Sequence, residues 1–234
     1  LQGADIVFLA AGLGGGSGTG ATPELATLAK EAGALVVAVV TKPFSREGKR
    51  RIELAEKGIQ ALLPLVDSLI VIPNDRLISM AGKDTALLEA FKPADDLVRQ
   101  TVQGMVEIIS THGHINVDFS DIRTVLGARG MALMGIGTAS GPDRSQEAVR
   151  RAIHNPLLEG VDIDDAKGVL LNIAGSSSMT LDEFDQVCKA VTEQVADDAT
   201  IIVGMVVDEA LGDQLKVTVI ASGIGGGIPS GMLR

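Results

Sequence analysis

The sequence predicts an α/β protein with three parts: a doubly wound parallel part, a connecting helix, and a smaller mixed-sheet α+β part. Three observations predict it. Short β-branched apolar runs alternate with helical spacing in the first third of the chain, a long helix candidate opens near Ala94, and beyond Asn116 Gly-rich strands alternate with helices.

The elements follow in order. Ala4 to Ala11 (ADIVFLAA) is a continuous apolar run that enters a glycine-rich loop, and a helix-forming stretch from about Ala21 to Ala32 follows. Gly33 ends that helix, and Leu35 to Thr41 (LVVAVVT) reads as a strand buried on both faces, which completes a βαβ unit. Helical spacing returns over Glu47 to Leu63, then a strand over Ser68 to Ile72 is closed by Pro73. Ala94 to about Ser110 places Leu97, Val98, Val102, Met105, Val106 and Ile109 on a helical period. Further strands are expected at Met131–Thr138, Gly168–Ile173, Thr200–Val207 and Gln214–Ala221, with helices at Arg144–Ile153 and Leu181–Val195. The last two strands are consecutive and joined by Asp208–Asp213, so they are expected to pair antiparallel.

Composition excludes several classes. The 234 residues hold 30 acids against 20 Lys and Arg, a net charge of −10, with five Phe and neither Tyr nor Trp. Such a chain neither attracts a polyanion nor offers platforms for stacking bases, so nucleic-acid binding is not expected; the basic run Lys49-Arg50-Arg51 reads as a solvated helix face. The longest apolar run, Ala34 to Val40, is far too short to insert in a bilayer. Cys188, the single cysteine, reads as a small apolar residue in a helix, and no Cys/His cluster has zinc spacing.

The glycine loop carries the first chemistry. Gly14, Gly15, Gly16, Ser17, Gly18, Thr19 and Gly20 stand between a strand and a helix N-terminus, where unpaired backbone N–H groups favour an anion and glycines admit phosphate oxygens closely. Two ligands fit this. Gly16-x-Gly18-x-x-Ala21 matches a Rossmann fingerprint, but that reading needs an acid at the end of the next strand, where Thr41-Lys42-Pro43 stands. No Gly-x-x-x-x-Gly-Lys-Ser/Thr loop occurs, which excludes a P-loop NTPase. Asn116, Asp118 and Asp121 precede a further helix, with Asp118 placed as its N-cap and Asp121 as a first-turn acid.

Four segments together resemble the tubulin/FtsZ family, and within it the bacterial FtsZ branch: GGGSGTG at 14–20, TKPFSREGKRR at 41–51, VDSLIVIPNDRL at 66–77 and NVDFSDIRTVL at 116–126. They cover nearly the whole chain in order and separation, with Ser17 where Thr is more usual. The resemblance implies a tubulin/FtsZ-like fold. In it, residues 1–93 are the C-terminal part of an incomplete parallel-sheet GTP-binding domain and 94–113 a connecting core helix. Residues 114–225 are an α+β mixed-sheet C-terminal domain with a catalytic acid loop, and 226–234 a disordered tail. It implies that Gly14 to Gly20 hold the phosphates of GTP or GDP, with Glu47 and Arg51 on the ribose and phosphate side. Glu47 can accept from sugar hydroxyls and Arg51 lies one helical turn on, although the same spacing makes an ordinary i,i+4 surface ion pair. Phe91 and Asp96 fall at the guanine contacts. Asp95 stands where the family commonly has Asn, and two adjacent carboxylates there are expected to weaken or re-orient base binding.

The same resemblance makes Asp118 and Asp121 catalytic acids and Asn116 their partner, orienting a water toward a γ-phosphate. Mg²⁺ rides on the phosphates without a protein ligand. A helix of roughly 17 residues rises about 25 Å, so the acid loop is expected to act on the nucleotide of a neighbouring subunit in a head-to-tail polymer. The implied function is a GTPase of the cytoplasmic cell-division ring at mid-cell, with division proteins and membrane tethers as partners through a tail beyond the chain. The family's first phosphate loop is expected upstream of Leu1, so the chain is expected to be a fragment. The alternatives are a non-enzymatic cap or modulator of such filaments and a Rossmann-type NAD(P) oxidoreductase.

Overall fold

A computed structural model describes residues 1–76, 98–108, 117–128, 130–155 and 165–224. Among these, the chain divides into two compact units, the first holding Leu1–Gln103 and Arg129–Ala132, the second Gly104–Ala128 and Leu133–Gly225.

The first unit is built on parallel strands in the order β1 (Ile6–Gly12), β2 (Leu35–Lys42), β3 (Ser68–Pro73). Ile6 pairs with Leu35 and Gly12 with Thr41, while Val37 pairs with Ser68 and Lys42 with Pro73. β3 is paired in turn with Met131 and Ala132, also in parallel. Val36 to Val40 have no exposed surface. Each buried valine of that run contributes about 1.5–3 kcal/mol of apolar transfer, which is why an unbroken β-branched run becomes the middle of a parallel sheet. The crossovers are α1 (Ser17–Glu31) and α2 (Lys49–Leu62), packed on one another.

The first helix begins at Ser17 rather than near Ala21, so the last four residues of the glycine loop are its first turn. Pro23, a residue that ordinarily marks a first turn, therefore sits inside the helix. The second helix candidate, Glu47–Leu63, resolves into a short 3-10 turn at Ser45–Glu47 and then α2, separated by Gly48 with φ of +105°.

In the second unit the strand order is β4 (Met131–Ser140), β7 (Gln214–Ile224), β5 (Gly168–Gly175), β6 (Thr200–Val207), with helices α3 (Phe119–Leu126), α4 (Arg144–Ile153) and α5 (Leu181–Thr192). The expected antiparallel pairing of the last two strands does not occur. β5 lies between them, parallel to β6 from Gly168↔Thr200 to Gly175↔Val207 and antiparallel to β7 from Gly168↔Ser222 to Gly175↔Leu215. Burial explains the choice: all eight residues of β5 and most of β7 are buried, whereas β6 is largely half-buried and takes the edge. The connection is long enough to cross the end of β5, held there by Asp208 N–H donating to the Gly175 carbonyl at 2.8 Å and Ser177 N–H to Glu209 Oε1 at 3.0 Å.

Residues 98–108 are helical, within the stretch expected to connect the two parts. Among the described residues, no helix is long and apolar enough to cross a membrane. The expected tail at 226–234 lies outside the described residues.

Candidate functional site

The glycine loop is positioned by the end of β1. Leu13 N–H donates to the Thr41 carbonyl at 3.0 Å, tying the loop to β2, and Gly14 N–H donates to Thr19 Oγ1 at 2.9 Å. Thr19 therefore serves the loop as an acceptor while its own proton stays free to donate.

The glycines divide into two kinds. Gly14 has φ of +97°, and a Cβ there would lie 2.8 Å from the Arg51 carbonyl oxygen and 3.1 Å from Pro43 Cγ. A Cβ at Gly18 would lie 2.2 Å from the Gly12 carbonyl oxygen, a distance no side chain tolerates. These two are demanded by packing. Around Gly15, Gly16 and Gly20, in contrast, a Cβ would meet nothing within 4 Å. Among the described residues, the backbone at those three faces open space.

That open backbone coincides with unsatisfied donors. Gly16 occupies the N-cap of α1 with no side-chain cap, and Gly20 N–H to the Gly16 carbonyl, at 3.0 Å, closes the first turn. The N–H groups of Ser17, Gly18 and Thr19 precede that bond and carry the positive end of the helix dipole. Ser17 is exposed at the first helical position, with a hydroxyl beside them. Exposed Arg46, Lys49, Arg50 and Arg51 cluster at the start of α2, with Lys49 set against Glu53 at 3.9 Å and Arg51 paired with Glu47.

The structure brings Arg51 to the glycine loop through its carbonyl against Gly14, and it pairs Arg51 with Glu47: Nη1 donates to Oε2 at 2.6 Å. The other carboxylate oxygen of Glu47 accepts from Phe44 N–H at 2.9 Å. Each oxygen of an ionised carboxylate has a second lone-pair site, so both remain able to accept from a sugar hydroxyl.

Two residues near this site were not singled out by the sequence reading. Asn74 follows β3, and its Oδ1 is buried and has no hydrogen-bond partner among the described residues. An unpaired buried acceptor at the carboxyl end of a parallel strand stands where ligands dock in α/β sheets. Asp75 binds Ser45 of the 3-10 turn. The signal available in the sequence was only the position of both residues immediately after a strand-closing proline.

In the second unit, Asp118 occupies the N-cap of α3 with extended backbone (φ −71°, ψ 150°), yet its carboxylate makes no capping hydrogen bond. Its carbonyl accepts from Asp121 N–H at 3.0 Å and Ile122 N–H at 3.1 Å. Among the described residues neither Asp118 nor Asp121 accepts a side-chain hydrogen bond, so both carboxylates are uncommitted at a helix start. Phe91, Asp95, Asp96 and Asn116 lie outside the described residues.

The sequence reading also missed a polar cluster in the second unit. Arg144, buried at the start of α4, donates to Glu183 at 2.6 and 3.0 Å, to the Asp213 carbonyl at 3.0 Å and to Ser178 at 3.3 Å. The hydrogen bond from Arg144 holds the Glu183 carboxyl down at about 2. Ser176 donates to the Gly212 carbonyl at 2.6 Å, so the Ser176–Ser178 turn ties into the β6–β7 connection.

Comparison with known proteins places these residues in a family. Residues 1–82 match the Tubulin/FtsZ family, GTPase domain, and residues 130–225 match the FtsZ family, C-terminal domain. The chain is 51% identical over 225 residues to the cell division protein FtsZ of Coxiella burnetii and 49% identical to that of Pseudomonas aeruginosa, covering 96% of this chain in each case. It spans 58% and 57% of the length of those relatives. Among solved structures, an empty FtsZ dimer from M. jannaschii superposes with a TM-score of 0.88 at 42% identity, over 94% of this chain and 64% of that one. The GDP-bound monomer of CetZ1 from Haloferax volcanii superposes at 0.77 with 22% identity, over 98% and 68%, a likeness of fold alone.

Proposed function

The chain belongs to the tubulin/FtsZ family, and we propose on that premise that it contributes to a GTP-binding, GTP-hydrolysing protein that polymerises head to tail in cell division. The observation that carries the nucleotide reading is the open backbone at Gly15, Gly16 and Gly20 over the uncapped N-terminus of α1, within the segment that matches the GTPase domain. A loop that needed glycine only for packing would need it at 14 and 18.

In this reading the N–H groups of Ser17, Gly18 and Thr19 and the Ser17 hydroxyl take phosphate oxygens, with Gly14 to Gly20 shaping the cradle. Glu47 accepts from the ribose and Arg51 faces the phosphate side. Asn74 offers an acceptor to the nucleotide, and Phe91, Asp95 and Asp96 hold the guanine. Mg²⁺, when bound, neutralises charge on the phosphates, and no protein ligand is assigned to it. Catalysis of hydrolysis needs a water aligned with the γ-phosphate, and charge stabilisation at the phosphates supplies most of the rest.

Asp118, Asp121 and Asn116 orient that water for the nucleotide of an adjacent subunit. The support is chemical: Asp118 stands at a helix N-cap without capping it, so its carboxylate is free for an external proton donor. A heterologous contact of this kind gives open filaments. The dimeric relative from M. jannaschii supports self-association. In the cell the protein works in the cytoplasm at the division site, with membrane tethers and other division proteins as partners.

The test is GTP hydrolysis per subunit as a function of protein concentration in the full protein. It is expected to rise steeply through a threshold, and a rate per subunit independent of concentration would sink the shared-site reading. GTP binding without a threshold, measured alongside, separates nucleotide recognition from assembly.

A further inference from the structure

We infer that Asp75 is a positioning residue for the ribose side of the nucleotide site, acting through Ser45; the inference rests on the GTP reading above. Asp75 lies two residues beyond Pro73, the last residue of β3, which pairs with Lys42 at the end of β2. It thus stands beside the loop that leaves β2. Its two carboxylate oxygens accept from Ser45 N–H at 3.0 and 3.1 Å, and Oδ2 also accepts from the Ser45 hydroxyl.

Ser45 opens the 3-10 turn whose last residue is Glu47. On the other side, that turn is closed by Phe44 N–H donating to Glu47 Oε1, and the Phe44 ring is buried at 5% exposure. Two anchors therefore aim the Glu47 carboxylate: Phe44, sunk in the core, and Ser45, held by Asp75. Gly48 follows with φ of +105°, a residue able to swing if one anchor is lost. Arg51 would follow, because its guanidinium is paired with Glu47 at 2.6 Å.

Exposure argues for positioning over stability. Asp75 and Ser45 are both exposed, where hydrogen bonds compete with water and add little to folding. Holding a turn in one geometry is a different task, for which an acceptor-only carboxylate is suited. Its oxygens take the N–H and the O–H of one serine at once, whereas an amide replaces one of them with an NH2 group that can accept from neither.

The test compares GTP with 2′,3′-dideoxy-GTP, which lacks the hydroxyls that Glu47 would bind, in equilibrium binding to the full protein. Asp75→Ala is expected to weaken GTP about tenfold and the dideoxy nucleotide by less than about twofold, because an aimed acceptor is lost only where a hydroxyl needs it. Asp75→Asn is expected to recover part of the loss. Ser45→Ala is expected to add nothing further in the Asp75→Ala background, as for two residues of one unit. Equal weakening of both nucleotides would show a general structural role and overturn the inference, as would unchanged GTP affinity. Wild-type protein that binds both nucleotides equally overturns it while leaving GTP recognition in place. Wild-type protein that binds neither overturns the GTP reading, and this inference with it.

Discussion

The glycine loop of the first unit and the Arg144 cluster of the second treat polar groups in opposite ways. Around Arg144 the donors are matched: the guanidinium reaches Glu183, Ser178 and the Asp213 carbonyl while 5% exposed, and Thr180 and Glu183 form a capping box at the start of α5. At the glycine loop the helix start has no side-chain cap, and among the described residues three glycines face open space and Asn74, at the end of β3, has a buried acceptor without a partner. Satisfied polar groups hold a fold, and unsatisfied ones in a cradle are available to a ligand. The difference separates polar groups paired within the fold from polar groups open to a partner, even though both regions are polar.

That contrast can be broken most severely at Arg144. Arg144→Ala leaves Glu183 without its cation in a mostly buried place and is expected to cost about 3–5 kcal/mol of stability, read by urea unfolding at neutral pH. The effect is pH-dependent with a definite sign. Because the folded-state carboxyl of Glu183 sits at about 2, against about 4.3 in an unfolded chain, its contribution is complete above the higher value and fades as pH falls through the lower. The stability gap between wild type and Arg144→Ala should therefore narrow from pH 5 toward pH 2; a gap that widens on acidification contradicts the assignment.

Gly18→Ala tests the packing side of the glycine loop. Its Cβ would strike the Gly12 carbonyl, so about 2–3 kcal/mol of stability is expected to be lost whether or not nucleotide is present. Asp118→Ala comes next, and it separates fold from chemistry. With no capping bond to lose, stability should move by less than about 0.5 kcal/mol, while GTP hydrolysis by assembled protein falls about 100-fold, as when one positioned transition-state group is removed.

Gly15→Ala gives the smaller and more diagnostic result. Open space around that position predicts little change in thermal unfolding, but a methyl facing the ligand should weaken GTP about tenfold. Smallest of all is the stability effect of Arg51→Ala, about 0.5 kcal/mol or less, since its pair with Glu47 is solvent-exposed. If Gly15→Ala unfolds the protein as readily as Gly18→Ala, the division of the loop into packing and ligand-facing glycines fails.

Much of the first unit was legible in the sequence because its signals are local. A β-branched run bounded by Gly33 and Pro43 has one comfortable conformation, and β2 occupies Leu35–Lys42 accordingly. The helix at Arg144–Ile153 was readable to the residue, since Pro142-Asp143 precedes it and its apolar face recurs at Ala148, Val149 and Ala152. The start of α1 was less legible, because a Ser-Gly-Thr-Gly run has weak helix propensity and becomes a first turn only by packing Gly18 against Gly12.

For the site, the glycine run, the Glu47–Arg51 spacing and the acids at 118 and 121 could be picked out by residue type and order. Asn74, Asp75 and Arg144 could not. The role of each depends on a residue far along the chain or on a burial that no local pattern encodes: Asp75 meets Ser45, and Arg144 meets Glu183 and Asp213.

The alternation of strands and helices, the family and a glycine-rich loop at a helix start could be read from residue order alone, because periodicity, turn residues and glycine content act over a few neighbouring residues. The place of β5 between β6 and β7 comes from packing in three dimensions, since strand order depends on which strand buries both faces and not on which is next in line. The tertiary structure also decided which glycines of one loop serve packing and which lie open, because that distinction is a matter of what stands within 4 Å of a missing methyl.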